Sequence, residues 1–69
     1  MAEEFSQEVV GAVGRVSVPI AVGREGEVIL PVRGGSEAFS ALSDEAIPKH
    51  TRVVVIEVVS GRTVRVTPC

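Results

Sequence analysis

Sixty-nine residues, with seven basic and nine acidic side chains, a formal charge of −2 and a pI near 5.2, hold one small domain and have the wrong sign for affinity built on phosphate contacts. At 45% hydrophobic and 23% charged the chain is too apolar for disorder, yet Arg15, Arg24, Glu25, Glu27 and Arg33 break up every run long enough to span a membrane. The lone cysteine, Cys69, excludes an internal disulfide and a cysteine-based metal centre.

The core has to be aliphatic, because there is no Trp or Tyr and only Phe5 and Phe39 supply rings. Fifteen Val, four Ile and two Leu instead give a β-branched excess that fits pleated strands. Residues 1–8 (MAEEFSQE) carry three Glu and no periodicity, and read as a flexible lead-in to a domain over 9–68. They lack the basic and apolar regions of a secretory signal.

The segment VVGAVGRVSVPIAV opens the domain, with Val16, Val18, Ile20 and Val22 on one face of a half-buried first strand. Gly11 and Gly14 predict a bulge or bend there, and Pro19 a break in pairing. After a turn at Gly23–Gly26, the second strand Glu27–Arg33 places Val28, Leu30 and Val32 inward and Ile29 outward. Gly34-Gly35 is the signal for a type I′ hairpin returning as a third strand, Ser36–Leu42.

Ser43–His50 (SDEAIPKH) is polar and contains Pro48, so it predicts a short irregular connection in place of a helix. Thr51–Val59 (TRVVVIEVV) is almost continuously β-branched and reads as a central strand buried on both faces. A tight turn at Ser60-Gly61 leads into the fifth strand, Thr63–Thr67, with Val64 and Val66 inward. Five strands in some sixty residues cannot cover their apolar faces as a flat sheet. The expectation is an all-β, five-stranded, OB-fold-like Greek-key barrel, with the long first strand and the strand 3–4 connection favouring it over an SH3-like barrel.

Specific chemistry is scarce. His50 with Asp44 and Glu45 offers only one preferred zinc ligand on a loop, which is short of the four a structural site uses; no metal or other cofactor is expected. Ser43, Asp44 and His50 are triad residue types without triad geometry, so no catalytic residue is assigned. Gly34-Gly35 and Gly23–Gly26 open no helix and so are turn glycines rather than a phosphate loop. Glu27, Glu37 and Glu57 interleave with the arginines as cross-strand ion pairs would.

Apolar excess gives the better hint. On Thr51–Val59 a small barrel can bury one of two rows, Val53/Val55/Val59 or Val54/Ile56/Val58; unless the strand curls so that both are internal, the other row is exposed and marks an interface, and Ile29 adds to it. Ile29, Val53, Val55 and Val59 are the candidate protein-contact residues, and Val55→Glu is expected to abolish partner binding without unfolding the domain. The alternative is a single-stranded nucleic-acid face built from Arg33, Phe39 and Arg52, which the charge balance makes the weaker reading.

In order and spacing, VVGAVGRVSV, GEVILPVRGG, EAFSALSDEAIPKHTRVVVIEV and GRTVRVTP resemble the C-terminal OB-fold domain of NfeD-like proteins, over nearly the whole chain. Gly11-x-x-Gly14, the Ile-Pro-Lys turn into strand four and the closing Val-x-Val-x-Pro carry the resemblance, while His50 stands where the family pattern has glycine. The resemblance implies a domain, excised or stand-alone, whose parent is anchored in the cytoplasmic membrane with this part facing the cytosol. It further implies a non-catalytic role beside a stomatin- or prohibitin-like membrane protein. Direct insertion of this chain into the bilayer is not expected; self-association into a homo-oligomer is a further expectation.

Overall fold

The computed structural model describes residues 9–69; the lead-in read for residues 1–8 lies outside them. Five strands, β1 (Val13–Val18), β2 (Gly26–Val32), β3 (Gly35–Leu42), β4 (Arg52–Ser60) and β5 (Thr63–Pro68), close into a barrel in the order β1-β2-β3-β5-β4. All neighbours are antiparallel except β3 and β5, which run parallel, the pairing a Greek-key path produces. The expected all-β, OB-like architecture is the one observed.

Alternation explains the interior. Val28, Leu30 and Val32 from β2, Phe39 and Ala41 from β3, and Val64 and Val66 from β5 are buried, and each strand shows its intervening side chains outward. The β2–β3 hairpin turns one residue earlier than Gly34-Gly35 implies. Val32 pairs with Gly35, and the two central positions are Arg33 at φ 49° and Gly34 at φ 82°. Both are left-handed, as a type I′ turn requires, at a cost of about 1–2 kcal/mol for the non-glycine residue. The β4–β5 turn is displaced the other way, one residue later than Ser60-Gly61, to Gly61-Arg62, because Ser60 pairs with Thr63.

Register shifts break the expected rows. Between Val16 and Val18 the β1–β2 register shifts, so Val16 is buried while Val18 is exposed; Ile20 returns inward and Val22 stays out. Between Val55 and Glu57 the β4–β5 register shifts, and Val58 rather than the next odd-numbered residue packs against the core. Strand β4 is therefore not buried on both faces: Val53 and Val55 point in, Ile56 points out.

The β3–β4 connection contains no helix and is stitched to the first strand by backbone bonds. Ile20 and Ile47 exchange N–H···O bonds of 2.9 Å in both directions. The His50 N–H donates to the Val16 carbonyl at 2.7 Å, and the Val16 N–H donates to the Thr51 carbonyl at 3.0 Å. These bonds hold His50 at φ 77°, the left-handed conformation that makes glycine the easier residue there. A close approach is visible at Gly14, where a Cβ would run into the Ile29 carbonyl oxygen and lie 2.7 Å from Leu30 Cδ2.

Candidate functional site

The outward face of β1, β2 and β4 is where apolar and cationic side chains meet. Val13 pairs across with Val54, and Arg15 pairs with Arg52 on one side and Ile29 on the other. Directly opposed residues on one face have Cβ atoms about 4.5–5.5 Å apart, so these five side chains form one continuous surface. Of its aliphatic members Val13 is 44% and Ile29 38% exposed while Val54 is half-buried, and Ile56, further along β4, is 50% exposed.

Of the four contact residues expected from sequence, the structure keeps Ile29 outside and moves the others. Val53 and Val55 are 0% and 1% exposed and belong to the core, so Val55→Glu would put a carboxylate into the barrel instead of removing a partner contact. Val59 is exposed, but it lies seven residues along β4 from Arg52, roughly 20 Å at a strand's rise, and shares no surface with Ile29. The outward row of β4 is Val54 and Ile56. The two rows are both β-branched aliphatic, so only the register with β1 and β5 tells them apart.

The nucleic-acid alternative loses its centre. Phe39 is buried in the barrel, with the Arg62 guanidinium 4.8 Å from its ring centroid, so no base can stack on it. Arg33 sits in the β2–β3 turn and Arg52 on β4, with β1 between their strands. The three residues do not form one face.

Beside Ile29 a groove of about 390 Å³ opens, lined by Gly14, Arg15, Val16, Ser17, Ile29, Lys49 and His50. The backbone stitches described above place Lys49 and His50 at its wall, and Arg15 Nη1 donates to the His50 carbonyl at 3.2 Å. Ser17 donates to Glu27 Oε1 at 2.6 Å at the groove's other end. No sequence motif announces this groove, because its cations lie far apart in the chain.

The sector running from β3 through β5 to the far end of β4 is ion-paired. Arg62 Nη2 meets Glu37 at 2.7 Å, and Arg65 reaches Glu57 at 3.1 Å and Asp44 at 3.6 Å, as the interleaved charges predict. Asp44 thus faces Arg65, and the Ser43 hydroxyl accepts the Glu45 N–H at 3.2 Å, so neither is directed to His50. No cluster of three potential metal-ligating side chains forms among the described residues.

Comparison with known proteins fits this geometry. The family model of the NfeD C-terminal domain matches residues 13–67, from the first residue of β1 to the penultimate residue of β5. The chain belongs to this family. The solution structure of the soluble domain of the NfeD protein YuaF from Bacillus subtilis is similar to it, with a TM-score of 0.80 and 28% identity over 97% of this chain and 84% of that one. No curated protein matches significantly. In this NfeD C-terminal domain, no helix among the described residues is long and apolar enough to cross a membrane.

Proposed function

We propose that this NfeD C-terminal domain is a non-catalytic protein-interaction module, and that its contact face is the outward sector of β1, β2 and β4. The observation that supports it is the exposure of Val13, Ile29 and Ile56 around Val54 on one barrel face. Contiguous aliphatic surface on a small domain marks an interface, and a closed barrel offers no free strand edge for β-addition, so contact is made by side chains. The parent protein is anchored in the cytoplasmic membrane with this domain on the cytosolic side, and its partner is a stomatin- or prohibitin-like membrane protein.

Ile56→Glu tests the reading. The side chain is half exposed, so the variant keeps the fold, verified by its amide spectrum, and loses capture of the purified cytosolic portion of a stomatin-like protein. Undiminished capture by a folded Ile56→Glu domain refutes the assigned face. Sedimentation of the unmodified chain provides the second readout: a dimer dispersed by Ile56→Glu makes the partner a second copy of the domain.

A further inference from the structure

The cations of this domain are segregated. Arg62 and Arg65 are engaged by Glu37, Glu57 and Asp44, whereas at the β1–β4 seam Arg15 and Arg52 stand directly across from one another. Like charges in that position repel. Lys49 and His50 face the same groove, and among the described residues no carboxylate lies within ion-pair distance of Arg15, Lys49 or Arg52. Glu27 borders the groove but is bonded to Ser17. In a chain of net charge −2, a surface with this many cations and no counter-charge among the described residues fits an anion supplied by a partner.

The surroundings narrow the anion's chemistry. A compact phosphate is best held by converging backbone N–H groups. Here three of the nearby N–H groups are committed within the chain and none converges on the groove with another: His50 donates to Val16, Val16 to Thr51, and Thr51 to Pro48 at 3.4 Å. What remains are side chains, two planar guanidinium forks suited to carboxylates, and they adjoin the aliphatic Ile29, Val13 and Val54. An extended polypeptide repeats its same-face side chains at about twice the 3.3 Å strand rise, the spacing at which Arg15 follows Val13.

We propose that the groove between Arg15, Ile29 and His50, with Arg52 beside it, receives an extended acidic segment of the partner protein, carboxylates on the arginines and aliphatic side chains on Ile29 and Val13. This rests on the protein-interaction reading and names the chemistry of the partner at that face.

The test is an amide-shift titration of the isotope-labelled 69-residue chain with an octapeptide of alternating Glu and Leu. The expected result is shifts centred on Arg15, Ser17, Ile29, Lys49 and His50, and roughly tenfold weaker binding on going from about 30 mM to about 300 mM NaCl. Arg15→Glu, which sets a carboxylate opposite Arg52 and so spares the fold, weakens binding at least as much. Equal binding of a Gln-for-Glu peptide, shifts elsewhere, or a stronger response to inorganic phosphate or to phosphatidylglycerol vesicles overturns the proposal. Failure here is separable from failure of the broader reading. If Ile56→Glu abolishes capture of the stomatin-like protein and Arg15→Glu leaves it unchanged, the groove assignment is wrong and the interaction face stands. If the acidic peptide binds the groove but the stomatin-like protein is not captured, the reverse holds.

Discussion

Val55 and Ile56 are chain neighbours of nearly identical chemistry on opposite faces of β4, at 1% and 50% exposure, and truncating each to Ala measures that difference directly. Leu→Ala in a core costs about 2.7–5.0 kcal/mol for three carbons, cavity included, so the two carbons removed by Val55→Ala cost roughly 2–3 kcal/mol. A domain of this length has a total stability of only about 3–10 kcal/mol, and each kcal/mol moves the midpoint about 4–8 °C. Val55→Ala is therefore expected to lower Tm by roughly 8–24 °C. Ile56→Ala removes more carbon yet costs under about 1 kcal/mol, because half of that side chain is already in water. Urea and thermal unfolding followed by circular dichroism read both values. If the two substitutions cost the same, or Ile56→Ala costs more, the register that turns Val53 and Val55 inward is wrong and the proposed contact face falls with it.

Four further substitutions probe the backbone and the charges. Gly14→Ala should cost more than about 2 kcal/mol, since its Cβ meets a main-chain oxygen that cannot swing aside, whereas Gly34→Ala, with open space around its Cβ but φ 82°, should cost about 1–2 kcal/mol; equal losses in chemical denaturation would contradict the close β1–β2 approach. His50→Gly removes a left-handed penalty of about 1–2 kcal/mol and adds unfolded-state entropy of about 0.4–1 kcal/mol, for a net gain of up to about 1.6 kcal/mol; a drop in the urea midpoint would show that the imidazole makes contacts that outweigh the strain. Arg62→Lys keeps a charge near Glu37 but loses the planar cover over Phe39, and should destabilise by about 0.5–1 kcal/mol in a manner that persists in high salt. A loss that vanishes in salt would assign the effect to the exposed ion pair alone.

Where one face of a strand is aliphatic and the other polar, the sequence is sufficient: β5 and the inner row of β2 are where alternation puts them. It fails in β4 because Val54 and Ile56 have the same chemistry as Val53 and Val55, and no local signal ranks the two rows. The bulge after Val55 compounds this by separating Val59 from the row its number implies. The hairpin displacement has a similar origin, since either Gly34 or Gly35 tolerates positive φ and the pairing of Val32 with Gly35 makes the choice. Ile29 was legible as an outward residue. The cationic groove was not, because Arg15, Lys49 and Arg52 become neighbours only when the β3–β4 connection is bonded onto β1.

The parallel contact of β3 with β5 and the antiparallel contact of β1 with β4 close the barrel, and both join segments far apart along the chain. The two hairpins, β2–β3 and β4–β5, close short loops and can form quickly, but the β1–β4 seam has to wait for the fourth strand and the β3–β5 seam for the fifth. Folding is accordingly expected in the millisecond-to-second range typical of such topologies. On a ribosome adding about 5–20 residues per second, β1 and β3 each wait a few seconds with one side unpaired. During that interval the row Val28, Leu30, Phe39 and Ala41 has no opposing wall, which makes it the stretch where a nascent-chain chaperone would bind and where slowed synthesis would be most harmful.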